Sequence, residues 1–314
     1  MKRMRKITRS SPATAEAGGR ERFLELLDGL TPREGVHGTA VPGVYVARWS
    51  QPETRHPAIY EPMIVFLAQG VKRLYLGDES LRYDADHYLA LAVPVPVECE
   101  VQATAGKPLL ALSVKVEPAM LGEILLALDG EAGSAERLDS PPRGIFADAM
   151  TPELRGAVIR LLEALGSPAD SRVLGPHFVR EIVYRVLRTG EGGALRAMAS
   201  RTDGFMRIAR VLQQMHAEHA RALSSEELAR RAGMSVSAFH HTFKAVTATS
   251  PLQYLKSVRL HRARLLMAND GHTAGTAAAA VGYESASQFS REFKRTFGAT
   301  PGFEAARFRA QAVG

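Results

Sequence analysis

The chain of 314 residues repeats part of its own sequence at a fixed offset of 50 residues. Residues 237–244 (SAFHHTFK) and residues 287–294 (SQFSREFK) share the pattern Ser-x-Phe-x-x-x-Phe-Lys. Seven residues after each copy comes a proline that follows Ser or Thr, Pro251 in the first copy and Pro301 in the second. A match over both segments indicates that one structural unit occurs twice.

Each copy carries the start and stop signals of two helices joined by a turn. In the first copy, Ser224 and Glu227 form a capping box, Gly233 ends that helix in a left-handed turn, and Ser235 caps the next helix. The corresponding residues of the second copy are Thr273, Gly282 and Ser285. This pattern is typical of a DNA-binding helix-turn-helix, although an ordinary helical hairpin shows the same signals.

The second helix of each copy has one face to bury and one that suits DNA. Phe239 and Phe243 share a face in the first copy, as do Phe289, Phe293 and Phe297 in the second. The opposite faces carry hydrogen-bond donors and cations, with Glu292 as their one acid. The residues predicted to contact DNA are Ser237, His240, His241, Lys244, Ser287, Gln288, Arg291, Lys294 and Arg295.

Charge is distributed unevenly along the chain, whose net charge is +7. Residues 201–314 carry 16 basic and 8 acidic side chains, residues 10–200 carry 19 and 25, and residues 1–9 carry five basic side chains. This distribution predicts a polyanionic partner for the C-terminal third. Residues 251–268 lie between the two copies and predict one helix of about 27 Å, which could place two recognition helices near the ~34 Å spacing of successive major grooves.

The N-terminal half has a different pattern of short strands followed by helices. Segments rich in β-branched and aromatic residues, separated by turn formers, predict strands over 44–49, 63–68, 72–76, 81–83, 88–93, 95–102 and 109–116. No long helices lie between them, which favours a small β-barrel or sandwich over a parallel sheet. Helical periodicity follows over 118–128, 152–165 and 175–189, and Gly190–Gly193 is a candidate linker.

These patterns predict three segments. Residues 1–20 are expected to be a disordered basic arm, residues 21–193 an effector-binding and dimerisation domain, and residues 194–314 the DNA-binding domain. No run of 18 apolar residues occurs, so no membrane-spanning helix is predicted.

Residues 282–301 (GYESASQFSREFKRTFGATP) closely resemble the C-terminal signature of the AraC/XylS family of transcription regulators. The resemblance extends over about residues 205–308 and implies seven helices, with two helix-turn-helix units joined by a long helix. The recognition positions of the family fall on Ser237, His240, His241, Ser287, Gln288 and Arg291. The adjacent histidines depart from the longer donors that are frequent in the first recognition helix.

The N-terminal half resembles the cupin-like domain of one AraC subgroup. The resemblance rests on Tyr60-Glu61-Pro62, Gln69-Gly70, Lys72, Leu76-Gly77-Asp78 and residues 83–88. It implies an α+β chain with a cupin-like β-barrel, a helical segment over 118–189 for dimerisation and coupling, and an all-α C-terminal domain. The candidate effector-binding residues are Tyr60, Glu61, His87 and Cys99.

The function implied is that of a bacterial, cytoplasmic, sequence-specific transcription regulator, more often an activator than a repressor. Its partners are expected to be double-stranded promoter DNA, RNA polymerase, an unknown small-molecule effector and a second copy in a homodimer. A DNA-binding protein without sequence preference is an alternative, but it would not need a separate β domain.

An enzyme of the cupin class is the main rival. Such an enzyme usually binds its metal through a His-x-His pair, which does not occur, while His37, His56 and His87 are isolated. The motifs of nucleotide binding and acyl transfer are also missing. We therefore predict no catalytic residues, no metal and no cofactor.

Cys99 is the one cysteine of the chain, which excludes an internal disulfide. In Val97-Glu98-Cys99-Glu100-Val101 the strand alternation places Cys99 inside and both glutamates outside. The sequence shows no basic neighbour that would activate the thiol, which favours inert packing over a sensor of electrophiles or oxidants.

Overall fold

The computed structural model describes residues 12–76, 79–128, 143–189, 192–199 and 204–312. The first part of the chain contains α1 (Pro12–Leu30), β1 (Gly35–Gly38), β2 (Val44–Trp49), β3 (Glu53–Tyr60), β4 (Met63–Gln69), β5 (Val71–Leu76), β6 (Glu79–Tyr83), β7 (His87–Leu91), β8 (Val95–Gln102), β9 (Leu109–Lys115), α2 (Pro118–Leu128), β10 (Ile145–Ala149), α3 (Pro152–Leu165), α4 (Pro168–Val173), α5 (Gly175–Leu187) and α6 (Gly193–Ala199).

The described strands form two antiparallel sheets. One has six strands in the order β1-β2-β9-β4-β7-β10, and the other has four in the order β3-β8-β5-β6. The two sheets are separate and no closed barrel is found, so of the barrel and the sandwich that the sequence left open the strands form a two-sheet sandwich. The β-rich N-terminal domain itself is as predicted.

The six-stranded sheet is buried on both faces, and β4 shows how its sequence achieves this. Ile64 and Phe66 belong to the core that includes α1, α3 and α5, whereas Val65 and Leu67 belong to the core between the two sheets. Successive side chains of a strand point to opposite faces, so a continuous apolar run is required here. The domain therefore has three layers: helices, a six-stranded sheet and a four-stranded sheet.

All seven predicted strands are present, and α2 and α3 have the predicted bounds. The sequence analysis missed β1, β3, β10 and α4. Helix α1 begins at Pro12, so the predicted disordered arm over residues 1–20 is too long, and residues 1–11 lie outside the described residues. Of the predicted linker, residues 190 and 191 also lie outside them, and Gly193 already belongs to α6.

The C-terminal domain has seven helices among the described residues, as the resemblance implied. They are α7 (Gly204–Ala217), α8 (Ser225–Ala232), α9 (Val236–Thr247), α10 (Pro251–Asn269), α11 (Ala274–Ala280), α12 (Ala286–Phe297) and α13 (Pro301–Ala312). The predicted caps form: Ser224, Ser235, Thr273 and Ser285 each accept a hydrogen bond from a backbone N–H of their helix. Gly233 ends α8 at a φ of 63°. None of the described helices is long and apolar enough to span a membrane.

The two helix-turn-helix units differ in how they are anchored. The first unit (α7 to α9 with the start of α10) shares one hydrophobic core with the N-terminal domain, whereas the second unit (the end of α10 to α13) has its own core. At the boundary, the Gly144 N–H donates to Val246 O at 3.0 Å. A Cβ at Gly144 would lie 2.7 Å from that oxygen, so the close approach requires glycine.

Candidate DNA-binding surface and effector compartment

Helices α9 and α12 are held by equivalent pairs of phenylalanines. Phe239 and Phe243 are buried in the first unit, and Phe289 and Phe293 are buried in the second. Each pair has its ring centroids 5.4 Å apart, so the two repeats pack alike. Burying this stripe turns the opposite side of each helix outward, as the sequence predicted.

The predicted DNA contacts lie on these outward sides. Eight of the nine residues are exposed, on positions that face away from the phenylalanines. His240 is the exception, since it is half-buried and its ring lies edge-on to Phe239 at 6.0 Å. Its base-reading role therefore stays a prediction with less support from the geometry than that of His241.

The cations on the two outward faces lack acidic partners. Among the described residues, Lys244, Arg291, Lys294 and Arg295 take part in no ion pair. The cations of α10 behave differently: Lys256 pairs with Glu292 at 3.1 Å, Arg264 pairs with Glu304 at 3.6 Å, and Arg259 donates to the backbone. The basic character of α10 thus serves mainly to hold the domain together.

Glu292, the acid of the second recognition helix, is occupied by neighbouring side chains. It accepts hydrogen bonds from Tyr283 Oη at 2.8 Å and from Gln288 Nε2 at 3.4 Å, and Lys256 lies beside it. Burial raises the pKa of Glu292, but these hydrogen bonds outweigh burial and the net shift is downward. Its charge is therefore compensated within the domain, and Arg291 is left free to face a ligand.

The structure separates the four candidate effector residues. Tyr60 and Cys99 lie together between the sheets, and burial with the adjacent Cys99 raises the pKa of Tyr60 well above its ordinary value. Glu61 is exposed. His87 is also exposed, and its Nδ1 lies 2.9 Å from Asp84 Oδ1. Glu61 and His87 are thus exposed whereas Cys99 is buried, and a role for these two residues in effector binding stays a prediction.

Cys99 has a basic neighbour that sequence reasoning missed. Its Sγ lies 3.1 Å from Nε2 of His56, a residue 43 positions earlier in the chain. His56 lies on β3 and pairs directly with Cys99 on β8, next to a register shift between Glu53 and His56. Bulges of this kind redirect side chains, which explains why an isolated histidine reaches the thiol.

Two further polar groups lie in the same compartment. Lys72 is 7% exposed, and its Nζ lies 4.7 Å from the Trp49 ring centroid and 5.3 Å from that of Tyr60. Tyr83, directly opposite Lys72 on β6, is fully buried and its hydroxyl has no hydrogen-bond partner among the described residues. We define Trp49, His56, Tyr60, Lys72, Tyr83 and Cys99 as the inner cluster. Within the described residues, no group of three His, Cys, Asp or Glu could hold a metal ion.

Comparison with known families identifies both halves of the chain. Residues 40–194 match the model of the AraC-type transcriptional regulator N-terminus, and residues 228–306 match the model of a helix-turn-helix domain. The chain belongs to the AraC family of transcriptional regulators. The AraC-type N-terminal match covers nine of the ten strands, while the second match covers both recognition helices.

Two curated AraC-family relatives show how far the sequence similarity extends. The RCS-specific HTH-type transcriptional activator RclR of Escherichia coli K12 is 38% identical over 96 residues, which are 31% of this chain and 34% of RclR. The HTH-type transcriptional regulator ExsA of Pseudomonas aeruginosa is 25% identical over 201 residues, which are 64% of this chain and 72% of ExsA. The chain thus spans about a third of the first relative and most of the second.

Among solved structures, an apo variant of ToxT from Vibrio cholerae superimposes with a TM-score of 0.56. The match covers 87% of this AraC-family chain and 99% of ToxT at 12% sequence identity. The shared feature is the fold, a β-sheet domain followed by a helical domain.

Proposed function

We propose that this AraC-family protein is a sequence-specific transcription activator whose recognition helices α9 and α12 enter two successive major grooves. One observation carries the proposal: two equivalent helices, one before and one after α10 in the chain, present exposed donors and unpaired cations. Cations without protein partners suit phosphate, and a bidentate arginine suits guanine. The 19 residues of α10 span about 28 Å, which approaches the groove spacing.

Selection from a random DNA library tests the proposal. The full-length protein should enrich one sequence with two half-sites about one helical turn apart, and affinity for it should fall steeply with salt because bound cations displace counterions. Lys107→Ala is a matched control, since it removes one exposed charge from a turn of the other domain. Equal affinity for the selected and for random DNA contradicts sequence-specific regulation.

We further propose that the compartment between the two sheets receives a small-molecule effector. The inner cluster supports this assignment because it gathers polar groups in an otherwise apolar layer. ToxT has been solved with an unsaturated fatty acid bound, so a protein of this fold accommodates a small molecule. Effector binding should raise the thermal unfolding midpoint of the protein, and substitution of inner-cluster residues should remove that increase.

We also propose that the protein forms a homodimer through α2 and α5, that it contacts RNA polymerase, and that it acts in the cytoplasm. Leu126 of α2 is 76% exposed, and Ile124, Leu128 and Tyr184 line an apolar groove between α2 and α5. Sedimentation should show a dimer that Leu126→Glu converts to monomer.

Transcription in vitro with purified polymerase should rise on a promoter that carries the selected sequence, and a fall would mean repression.

A further inference from the structure

The inner cluster places a nucleophile and a base on one side and a cation and a free hydroxyl on the other. Cys99 pairs with Leu74 across β8 and β5, and Lys72 lies two residues from Leu74 on the same face. Such diagonal neighbours are about 7–8 Å apart at Cα, within reach of one small ligand. Tyr83 lies directly opposite Lys72. Together, the groups form a cluster with two chemically different ends.

The hydrogen bonds of His56 define how the thiol and imidazole share a proton. Its Nδ1 lies 3.0 Å from Thr54 O, an oxygen that only accepts, so Nδ1 carries a hydrogen. In the neutral ring Nε2 then accepts, and the Cys99 thiol donates to it. The hydrogen bond with Cys99 raises the pKa of His56 against the opposing effect of burial, and Glu53 adds to the increase. His56 is therefore set to take the thiol proton.

Lys72 and Tyr83 form the electrophilic end of the compartment. No carboxylate pairs with Lys72 in the described part of the chain, and aromatic rings are its nearest partners. The buried Tyr83 hydroxyl has no acceptor or donor there. Buried polar groups are rarely left without partners, so both groups point to a ligand oxygen that carries negative charge. A ligand whose only reactive group is a carboxylate would contact Lys72 and Tyr83 but not the thiol–imidazole pair. A ligand that engages both ends also needs an electron-poor carbon.

We propose that Cys99 and His56 form a reactive pair that captures a small α,β-unsaturated carbonyl compound by covalent addition, and that this adduct is the effector signal. The inference rests on the proposed function in that it takes the compartment between the sheets as the effector site. It replaces the expectation of an inert thiol, which assumed that Cys99 has no basic neighbour.

The addition is balanced without any further reactant. The thiol passes its proton to His56 Nε2, and the sulfur forms a bond to the β-carbon of the ligand. The π electrons of the carbon–carbon double bond move toward the carbonyl oxygen, where Lys72 and Tyr83 stabilise the enolate. His56 then returns the proton to the α-carbon. Thiol and ligand combine into one thioether, so nothing leaves and no oxidant is consumed.

Strand β3 connects this chemistry to the DNA-binding domain. It is the edge strand of its sheet, and it contacts both α10 and the recognition helix α12. His56 itself lies close enough to His261 of α10 to lower the pKa of that histidine, after the larger effect of burial. A change in His56 or β3 on adduct formation would therefore act on the second helix-turn-helix unit, which has its own core.

The first test exposes the full-length protein to propenal and follows intact mass. Cys99 is the one thiol, so Cys99→Ser corrects for addition to lysine and histidine. We expect Cys99 in the folded protein to react at least about tenfold faster than in guanidinium chloride, because a positioned base accelerates proton transfer. Propanal, which has no carbon–carbon double bond and therefore no electrophilic β-carbon, should leave no stable adduct. A folded thiol that reacts more slowly than the denatured one overturns the proposal.

Two substitutions separate the ends of the compartment. His56→Gln keeps a hydrogen-bond acceptor but no base, and it should slow both propenal and iodoacetamide by at least about tenfold. Lys72→Met should slow propenal by at least about tenfold and leave iodoacetamide unchanged, because alkylation forms no enolate. Equal effects of Lys72→Met on both reagents would overturn the role of Lys72. The folded-versus-denatured comparison on the unaltered chain stands even where a variant does not fold.

The second test measures binding to the selected DNA before and after propenal treatment. Adduct formation should change the affinity by at least about fivefold in the unaltered protein and not in Cys99→Ser. An adduct without any change in binding overturns its role as a signal. If untreated protein does not prefer the selected DNA, the proposed function fails, while adduct formation is still read by mass. If the protein prefers the selected DNA but propenal forms no adduct with Cys99, only the inference about Cys99 and His56 is rejected.

Discussion

Arg291 and Lys294 occupy the same exposed side of α12, one helical turn apart, yet they suit different parts of DNA. A guanidinium can donate two hydrogen bonds to guanine O6 and N7, whereas an ammonium acts as a point charge for phosphate. Arg291 lies near the N-terminal turn of the helix with Ser287 and Gln288, and Lys294 lies in its last turn. From position and chemistry we therefore expect Arg291 to read bases and Lys294 to contact phosphate.

Arg291→Ala should weaken binding to the selected sequence by about 1–3 kcal/mol and relax preference at one or two base pairs. Lys294→Ala should weaken selected and random DNA alike and reduce the salt slope by about one. Competition binding with both DNAs measures the difference. A parallel loss for both DNAs on Arg291→Ala would assign Arg291 to phosphate as well.

His216 and Tyr254 link the two domains through a directed pair of hydrogen bonds. Tyr254 Oη donates to Pro94 O at 2.8 Å, so its oxygen accepts from His216 Nε2–H at 2.8 Å. Burial lowers the pKa of His216 to about 4, with Arg262 and His219 adding to the shift. Burial also lowers the pKa of His261 to about 4, with Arg264 and His56 contributing.

These two histidines should make the folded protein less stable as pH falls from about 6.5 to about 4. In that range the unfolded chain binds protons that the folded chain excludes, so the free energy of unfolding rises with pH. Urea unfolding at several pH values should show a smaller slope for the double variant His216→Gln/His261→Gln. An unchanged slope in the double variant would mean that neither histidine resists protonation in the folded state.

At the residue scale, the sequence predicted which side chains are buried better than it predicted which side chains they contact. Strand alternation correctly placed Cys99 inside and Glu98 and Glu100 outside. It could not predict His56 beside the thiol, because that contact depends on the pairing of β3 with β8 and on a local register shift. Nor did alternation reveal that Lys72 faces inward between apolar neighbours, since a lysine in a strand suggests a solvent-exposed face.

At the scale of elements, the two recognition helices end differently although their sequences repeat. Gly298 ends α12 with a φ of 74°, and Ala248 ends α9 at the equivalent position with a φ of 58°. Among the described residues, Ala248 is the one non-glycine with positive φ. This conformation strains an L side chain, and Ala248 is held in it while its methyl group packs against the core between the sheets.

Gly298→Ala should lower the free energy of unfolding by about 1 kcal/mol, because a Cβ there meets no atom within 4 Å and the cost is that of the backbone alone. Ala248→Gly should raise it by less than about 1 kcal/mol, since relief of strain is partly offset by the lost packing and by entropy of the unfolded chain. Chemical denaturation of both variants checks the opposite signs. If both variants changed the free energy of unfolding in the same direction, the ends of α9 and α12 would not share the same left-handed turn.

The elements that sequence predicted well carry strong local signals. Capping Ser and Thr residues mark the starts of α8, α9, α11 and α12 without tertiary information, and the spacing of the phenylalanines marks the buried face of α9 and α12. Strand β3 carries the opposite signals, since it is rich in charged and polar residues and contains Pro57. Edge strands tolerate both, and only the neighbouring strand determines that this segment pairs.

At the scale of the whole molecule, the first helix-turn-helix unit depends on the N-terminal domain more than the sequence suggested. A boundary near residue 194 separates the functions, but the hydrophobic core continues across it. Helical periodicity identifies apolar faces and cannot show which faces from distant parts of the chain meet. The domain boundaries themselves remain a prediction.

A fragment from Thr202 to Gly314 should bind DNA, because it contains both recognition helices and α10. We expect the fragment to bind the selected sequence more weakly than the full chain does. Its first unit loses part of the shared hydrophobic core and the backbone hydrogen bond from Gly144 to Val246. Fluorescence anisotropy over a salt series measures both proteins. A folded fragment with no DNA affinity at low salt would contradict the assignment of α9 and α12.

The continuity of α10 has a consequence for the spacing of regulated sites. The helix begins in the core of one unit and ends in that of the other, so no loop can absorb a change in its length. One inserted residue would rotate the second unit by about 100° around the helix axis. Likewise, about five extra base pairs between half-sites would carry one of them to the far side of the duplex. We therefore expect the protein to require a fixed helical phase between the half-sites as well as a base sequence, so that a promoter with half a turn of DNA inserted between them is no longer regulated.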